Sequence, residues 1–189
     1  FVSKGLGAMV QHLSNIEVLL ISIVNEKPSY AYEIDKIIEL RNMRIWARIG
    51  VASIYQVLKR LEEKKLVYSK KEKEGRMPDR KRYYITDLGR TALIEASKRL
   101  LSNFEYYFLD LNVGMEASDL LTSGEIASCL MNRLAKVQSN KKRIKKMYAD
   151  EQNGSFKKKA VLKSLINFRE AEEKLLKEFL SELLVYEYR

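Results

Sequence analysis

The apolar positions of the N-terminal segment recur at intervals of three and four, which is the period of an amphipathic helix. Asn15 can cap a first helix over residues 15–25, whose broad apolar face predicts that it is buried. Pro28 ends this segment, and Ser29 can cap a second helix with the same apolar spacing. The pattern therefore predicts two short packed helices and an irregular or partly helical link that contains Trp46.

The next segment has an apolar face and a polar face. Gly50 can cap a third helix, in which Ile54, Leu58 and Leu61 are spaced to face inward. The opposite face holds hydrogen-bonding and cationic side chains, namely Ser53, Gln56, Arg60 and Lys64. A helix that lies in the major groove of DNA needs this division, because one face packs on its own domain while the other meets the bases.

Two strands of alternating character follow, at residues 66–71 and 81–85, and the turn between them contains Gly75 and Pro78. Residues 59–82 hold eleven basic side chains against five acidic ones. A cationic excess on a helix and a hairpin is typical of a surface that follows phosphates. The segment predicts a recognition helix followed by a β-wing.

The remaining sequence predicts longer helices. Thr86 can cap a fourth helix whose expected buried residues are Leu88, Leu93, Leu100, Leu101 and Phe104. Residues 110–114 are interpreted as a joint. Thr122 and Glu125 form a capping box that opens a further helix, and its apolar stripe is Ile126, Leu130, Leu134, Val137, Ile144 and Tyr148.

After a turn at Asn153 and Gly154, residues 156–186 predict the last helix, with an apolar side formed by Val161, Leu165, Phe168, Leu175, Phe179 and Leu183. The two long helices make a helical hairpin that either packs on the fourth helix or pairs with a second chain. The predicted fold is mainly α-helical with a small β-wing. Residues 11–110 are assigned to a winged helix-turn-helix domain with its linking fourth helix, and residues 115–189 to a C-terminal α-helical domain.

The net charge of +10 is unevenly distributed, with +8 on residues 1–100 and +2 on residues 101–189. The first half is therefore the candidate binder of a polyanion, although acidic membranes also attract basic proteins. Ten residues are the candidate contacts to double-stranded DNA, namely Ser53, Tyr55, Gln56, Lys59, Arg60, Lys64, Arg76, Arg80, Lys81 and Arg82.

These ten candidates have different expected roles. Ser53, Gln56 and Arg60 are expected at base edges, since Gln pairs with adenine and Arg with guanine; the alternative interpretation is a solvated helix face. Lys59 and Lys64 are expected to contact phosphate or solvent. For Tyr55, a ring packed at the domain edge with its hydroxyl on a phosphate and packing in the core alone are equally favoured. Residues near the wing tip, Arg76 and Arg80, are expected at the minor groove or the backbone.

Other classes of site have no residues to form them. His12 is the one histidine, so neither a metal cluster nor a catalytic triad is expected, and no cofactor or enzymatic activity is predicted. Cys129 is interpreted as a buried, inert thiol suited to a reducing cytosol. The apolar run at residues 18–24 is too short to span a bilayer, so a cytoplasmic protein is expected. Trp46 is interpreted as a core anchor, with the lining of an effector pocket as the alternative.

Three motifs carry a resemblance to a known family: PSYAYEI at residues 28–34, SIYQVLKRLEEKKLV at residues 53–67 and PDRKRYYITDLGR at residues 78–90. The chain resembles the PadR family of bacterial winged helix-turn-helix regulators, in the group with a short C-terminal helical region. It departs from the usual pattern at Ala31, Gly50 and Ala52, where the family commonly has Gly, Ser and Gly. None of the three departures removes a charged DNA contact.

The resemblance implies a homodimer held by C-terminal helices, with two recognition helices on a pseudo-palindromic operator and a response to small aromatic effectors. The expected dimerisation residues are Ile126, Leu130, Leu134, Leu165, Phe168, Leu175, Phe179 and Leu183. The leading hypothesis is a sequence-specific transcriptional regulator of the PadR type that represses a palindromic operator with effector-modulated affinity. The alternatives are a winged-helix module that binds proteins and a small-molecule-sensing adaptor without specific DNA reading.

Overall fold

A computed structural model describes residues 12–72, 80–151 and 154–187 of the chain. The chain forms two compact units, of which the first ends at Glu105 and the second begins at Tyr106. The described helices of the first unit are α1 (Asn15–Glu26), α2 (Ala31–Leu40), the 3-10 turn Met43–Ile45, α3 (Val51–Glu63) and α4 (Asp87–Ser102). Its strands are β1 (Ser29–Tyr30), β2 (Val67–Glu72) and β3 (Arg80–Ile85). The second unit contains α5 (Asp110–Glu116), α6 (Ser123–Asp150) and α7 (Phe156–Glu187).

The core of the first unit lies between α1, α2, α3 and the root of the sheet. Its fully buried side chains come from all of these elements and include Leu20, Ile21, Ile34, Ile38, Ile54, Leu58, Leu61 and Leu66. The strands pair antiparallel in the order β1-β3-β2. This arrangement confirms the predicted fold class, which is mainly helical with a small sheet that forms the wing.

The caps of α1 and α2 differ from the sequence-based prediction. Ser14, rather than Asn15, caps α1, because Glu17 lies three residues after Ser14 and its carboxylate accepts the Ser14 backbone N–H at 2.8 Å. Ser29 does not cap α2 but pairs with Tyr83 in the sheet. Tyr30 takes the cap position of α2, and its N–H donates to Glu33 at 2.9 Å. Strand pairing is a tertiary contact that the local sequence does not reveal.

Helix α4 contacts the core along a different stripe from the one predicted. Leu93 and Leu100 pack against the core as expected, and Ala96 between them is buried. Leu88, Leu101 and Phe104 were expected in the core but are exposed. The reason is geometric, since the contacting face follows Ala96 and Leu100 at helical spacing, and the helix ends at Ser102, before Phe104.

Gly89 allows the start of α4 to approach the sheet closely. Thr86 caps this helix, as predicted, and its hydroxyl accepts the Gly89 N–H at 2.9 Å. A Cβ atom at Gly89 would lie 2.0 Å from the Leu66 carbonyl oxygen and 2.9 Å from Ile85 Cγ1. This position therefore requires glycine for space rather than for conformation.

The second unit is a helical hairpin of α6 and α7. The capping box of Thr122 and Glu125 opens α6, as predicted. The segment 110–114, predicted to be a joint, is instead part of helix α5. The apolar core of the unit is formed by Leu111, Leu130, Val137 and Leu176.

Helix α7 buries other residues than those predicted. Leu162 and Leu176 are buried, whereas the predicted stripe is half-buried at Val161, Leu165, Leu175, Phe179 and Leu183 and half-exposed at Phe168. Helix α7 carries apolar side chains on more than one face, and periodicity alone does not tell which face meets α6. None of the helices in the described part of the chain combines the length and apolarity that a bilayer span requires.

Charged side chains line the contact between α6 and α7. Glu173 is buried, ion-paired with Lys141, and accepts hydrogen bonds from Lys177 at 2.7 Å and Gln138 at 3.2 Å. The hydrogen bonds from Lys141, Lys177 and Gln138 lower the pKa of Glu173 to about 2. Arg133 donates to Glu172 through two nitrogens, at 2.9 and 2.6 Å. The contacts from Arg133, Gln138 and Lys141 join α6 to α7 and therefore fix the register of the hairpin.

Gly89→Ala is expected to destabilise the first unit by about 2 kcal/mol, because the methyl group cannot fit against the Leu66 carbonyl without backbone movement. Denaturant unfolding measures the loss. Gly114→Ala is the matched control, since nothing lies within 4 Å of the place that its methyl group would take. That variant is expected to be neutral or slightly stabilising, and equal losses at the two glycines would contradict the steric explanation.

The ionised Glu173 is expected to stabilise the hairpin at neutral pH and to lose this effect as the pH falls. Its pKa in the folded state, about 2, lies below the ordinary value of 4.5. The stabilisation is therefore full above about pH 5 and declines towards pH 2. Thermal unfolding across this range should show a smaller pH dependence in Glu173→Gln than in the wild type. Glu178→Gln, which alters an exposed pair with Lys174 on the same helix, is the control expected to retain the wild-type dependence.

Candidate nucleic-acid interface

Helix α3 presents a polar face outward because its apolar face is packed in the core. Gly50 precedes it in an extended conformation at the cap position, as predicted. Ile54, Leu58 and Leu61 are each 0% exposed. On the other side, Gln56 and Arg60 are exposed and Ser53 is half-buried. The outward row of α3 is defined by Ser53, Tyr55, Gln56, Lys59 and Arg60, and none of these side chains is enclosed by its own unit.

The C-terminal end of α3 is tied to α1 by a buried carboxylate. Glu17 is 4% exposed, and its Oε1 accepts from Lys64 Nζ at 2.6 Å and lies 4.0 Å from Arg60 Nε. Burial alone would raise the pKa of Glu17, but hydrogen bonds from Lys64 and Ser14 outweigh it, and the pKa is lowered. Lys64 was expected at a phosphate or in solvent, and the structure places it in this ion pair.

The cations at the middle of α3 are held less tightly. Lys59 Nζ is 3.8 Å from Glu63, and both side chains are largely exposed. Surface pairs of this kind contribute little energy and are easily exchanged for another anion. Lys59 therefore remains available to a phosphate, whereas Lys64 would have to leave a buried partner.

Strand register divides the predicted wing contacts between two faces of the sheet. Successive side chains of a strand point to opposite faces, and Lys71 lies directly opposite Lys81 while Lys70 lies opposite Arg82. Lys81 shares the face of Tyr83, which is buried in the core. Arg80 and Arg82 occupy the other face together with Tyr84. Arg76 lies outside the described residues.

The sequence alone did not predict that Lys71 and Lys81 lie directly opposite each other. Like charges directly opposite each other destabilise a sheet, and Glu62 relieves part of this repulsion because its carboxylate is 3.5 Å from Lys81 Nζ. Burial alone would raise the pKa of Glu62, but the hydrogen bond from Ser69 and the charge of Lys81 outweigh it, and the pKa is lowered. Lys71 is exposed beside this cluster. Alternation along β2 could have found it, but only once the register was known.

Arginines on the outer face of the sheet lie against tyrosine rings. The guanidinium of Arg82 is 4.4 Å from the centre of the Tyr30 ring, and that of Arg80 is 5.3 Å from the centre of the Tyr32 ring. Arg82 Nε also lies 3.0 Å from the carboxylate of Glu72. The structure thus places Arg82, a predicted DNA contact, in a side-chain cluster of its own unit.

Two predictions about buried side chains were wrong. Trp46 was expected to anchor the core but is 39% exposed at the end of the 3-10 turn. Cys129 was expected to be buried but is an exposed free thiol on α6. It lines a groove of about 480 Å³ together with residues of α5 and with Arg133. Within the described residues, no group of three or more His, Cys, Asp and Glu side chains is placed to hold a metal ion.

A second groove of about 470 Å³ shares Arg133 and Leu111 with the first. Its apolar lining is formed by Tyr107, Leu109, Leu165, Phe168 and Leu175. The guanidiniums of Arg133 and Arg169 stand beside this apolar surface, and both donate to Glu172. In this groove Leu165, Phe168 and Leu175 of the predicted α7 stripe keep accessible surface, while Leu175 also packs against the core and the Phe168 ring lies 5.5 Å from that of Tyr107.

Comparison with known proteins gives a consistent result. A family model, the transcriptional regulator PadR-like family, matches residues 20–95. A crystal structure of Bacillus subtilis PadR in complex with operator DNA is 15% identical and aligns with a TM-score of 0.74, covering 91% of this chain and 99% of that one.

Two further solved structures share the fold. A PadR-like regulator, BC1756 from Bacillus cereus, is 20% identical, with a TM-score of 0.63 over 92% of this chain and 98% of that one. Bacillus subtilis PadR in complex with p-coumaric acid is 14% identical, with a TM-score of 0.72 over 89% and 98%. Comparison with curated proteins yields no match.

The matched segment and the fold lead to the same assignment. Residues 20–95 contain α2, α3 and the whole described sheet, and these are the elements that carry the three sequence motifs. The family is one of transcriptional regulators rather than enzymes, in agreement with the sequence-based prediction. The resemblance found in the motifs is confirmed, since residues 20–95 form a PadR-like family domain and the fold is shared with solved structures of PadR-family regulators.

Proposed function

We propose that this protein is a sequence-specific regulator that binds double-stranded DNA through α3 and the wing. The observation that carries the proposal is the outward row of α3, where Gln56 and Arg60 stand exposed on a helix whose other face is buried. Arg and Gln are the side chains that read guanine and adenine with paired hydrogen bonds. The operator DNA complex of Bacillus subtilis PadR, which shares the fold, supports DNA as the partner.

Within this proposal the candidate contacts divide by their surroundings. Ser53, Gln56 and Arg60 read base edges, while Tyr55 and Lys59 contact the backbone. Lys71 and Lys81 contact phosphates. Both lie on the face of the sheet that also carries the buried Tyr83. Arg76 and Arg80 approach the duplex near the wing tip. Lys64 and Arg82 act mainly through partners in their own unit, since Glu17 and Glu72 hold them.

We further propose that the protein acts as a homodimer through its second unit, so that two α3 helices meet the two halves of a palindromic operator. Half-sites would then lie roughly 34–36 Å apart, one turn of DNA. The exposed apolar side chains of the second unit support this proposal, among them Phe108, Val113, Leu120, Met131 and Phe168. A surface of this kind marks an interface more often than a free face.

Seven of the eight predicted dimerisation residues keep some accessible surface for such an interface. Ile126, Leu134, Leu165, Leu175, Phe179 and Leu183 are half-buried, and Phe168 is half-exposed. Leu130 is different, since it is 4% exposed and packs inside the α6–α7 hairpin. Its contribution to a dimer would be indirect, through the shape of the hairpin.

Repression and effector control complete the proposal. A dimer bound at a promoter would exclude other proteins from the same DNA, which gives repression as the simplest outcome. The p-coumaric acid complex of the relative supports control by a small aromatic acid. The second unit offers a groove in which Tyr107, Phe168 and aliphatic side chains stand beside the guanidiniums of Arg133 and Arg169, and such walls suit an aromatic ring with a carboxylate.

Arg60→Ala is expected to weaken binding to a duplex selected by the protein from a random pool by about 1–3 kcal/mol and to relax the preference at one base position. Fluorescence anisotropy with every single-base variant of that duplex measures both effects. The wild-type affinity should also fall steeply with salt, since each phosphate contact contributes about 0.9 to the slope of log K against log salt.

Lys98→Ala is the control for that experiment, because Lys98 forms an exposed pair with Glu95 on α4. It is expected to leave affinity and preference unchanged. An equal loss on all duplexes with Arg60→Ala would contradict base reading. Wild-type binding that persists at high salt without sequence preference would support the protein-binding module instead.

Phe168→Asp is expected to raise the dissociation constant of the homodimer at least about tenfold, because a charge replaces a half-exposed aromatic ring among the accessible apolar side chains of the second unit. Sedimentation velocity across a concentration series measures the change. Leu40→Asp places the same charge at an exposed apolar position of the first unit and should leave the assembly intact. An unaltered dimer in Phe168→Asp would place the interface elsewhere.

A further inference from the structure

The outer face of the sheet carries tyrosines in two stacked pairs. The rings of Tyr30 and Tyr32 lie 5.6 Å apart with an angle of 11° between their planes. Those of Tyr68 and Tyr84 lie 5.2 Å apart at 14°. The first pair stands at the start of α2 and the second on the two long strands, so that aromatic side chains extend from the core to the wing.

Glu72 connects the two pairs. Its Oε2 accepts a hydrogen bond from the hydroxyl of Tyr30 at 2.8 Å, and its Oε1 accepts one from Tyr84 at 2.9 Å. Arg82 Nε lies 3.0 Å from Oε2, and its guanidinium covers the Tyr30 ring. We call Tyr30, Glu72, Arg82 and Tyr84 the wing lock.

Backbone pairing alone holds the outer part of the wing weakly. β1 pairs with β3 only at Ser29 and Tyr30, whereas β2 and β3 pair from Val67 to Glu72. Beyond Tyr30 the wing is thus a two-stranded ribbon, and such ribbons are marginally stable and vary widely in twist. Glu72 is the last residue of β2, so its bonds act where the ribbon most needs support.

The protonation states agree with this arrangement. Hydrogen bonds from Tyr30 and Tyr84, followed by the charge of Arg82, lower the pKa of Glu72. The hydrogen bond to Glu72 likewise raises the pKa of Tyr84. Glu72 is therefore ionised at neutral pH and accepts from two neutral phenols, and charge-assisted hydrogen bonds of this type are about twice as strong as neutral ones.

We propose that Glu72 is a positioning residue, which fixes the angle of the wing to α2 through the wing lock, and that Arg82 serves this lock rather than a DNA phosphate. The consequence for binding rests on the proposed function, because only a DNA-binding protein needs its wing and α3 held in one geometry. A rigid wing reaches the duplex without the entropy loss of ordering a mobile ribbon. Glu72 is half-buried whereas Tyr30 is buried, so Glu72→Gln breaks the lock without changing a core side chain.

The first experiment uses the free protein and does not depend on DNA. In Glu72→Gln, Tyr30→Phe and Arg82→Gln, the amides of β2 and β3 are expected to exchange hydrogen about tenfold faster, as for the loss of one charge-assisted hydrogen bond. The amides of α1 and α3 should be unaffected. Glu95→Gln, which removes the same charge from the surface of α4, is the control expected to match the wild type. Unchanged exchange in the wing of Glu72→Gln would overturn the proposal.

The second experiment measures binding to the selected duplex. The direction in which Glu72→Gln changes the affinity distinguishes the proposal from simple electrostatics. Removing an acidic group from a cationic DNA-binding surface strengthens binding by simple electrostatics. Loss of the lock predicts the opposite, so Glu72→Gln is expected to bind several-fold more weakly with an unchanged salt slope. Tighter binding by Glu72→Gln would overturn the proposal.

A double-mutant comparison separates the two roles of Arg82. If Arg82 acts through Glu72, the double variant Glu72→Gln/Arg82→Gln should bind no more weakly than the weaker single variant. If Arg82 contacts a phosphate, Arg82→Gln should lower the salt slope by about 0.9 and the two losses should add, which would refute its place in the lock. A wild type that binds no duplex specifically would refute the proposed function alone, since hydrogen exchange still tests the lock.

Discussion

The burial of one face of α3 is the constraint on which the rest of the candidate interface depends. Ile54, Leu58 and Leu61 occupy the core without exposure, and their spacing fixes the rotation of the helix about its axis. One residue of rotation, about 100°, would carry Gln56 away from the outward row. The chain then turns into β2 at Lys65, whose φ of 58° is left-handed. The positions of helix and wing are thus consequences of a single packed face.

Carboxylates organise the cations around this helix. Glu17 holds Lys64, Glu62 holds Lys81 and Glu72 holds Arg82. Each pair joins two elements. These three acidic residues therefore hold neighbouring elements together as well as lowering the net positive charge. A count of basic residues in the sequence therefore overstates the number of phosphate contacts. The salt dependence of binding should reflect the loosely paired cations, such as Lys59, more than those held by buried partners.

The sequence predicted the order of α1–α4, α6 and α7, the two strands of the hairpin and the caps at Gly50, Thr86 and Thr122, because periodicity, Pro28 and capping residues act locally. It did not predict β1 or α5. The cap at Ser14 was also readable from Glu17 three residues on. The sequence-based predictions that were wrong concern features determined by tertiary contacts. Ser29 was predicted to cap α2 but pairs with β3 instead. Trp46 and Leu101 at the end of α4 were predicted to be buried but are exposed. The faces of Lys71 and Arg82 could not be assigned without the register, since a shift of one residue exchanges the two faces.

In the second unit, charged side chains lie between the helices while several apolar side chains remain exposed. Charged pairs, led by Glu172 and Glu173, lie in the seam between α6 and α7, while Phe168 and its apolar neighbours stay partly exposed. These pairs join α6 to α7 without covering its apolar side chains, so the hairpin has a defined register but leaves apolar surface accessible. In the proposed homodimer, the hairpin of the second copy presents the same accessible apolar and aromatic side chains. In the proposed homodimer, the register fixed inside each hairpin would determine how the two accessible apolar surfaces meet.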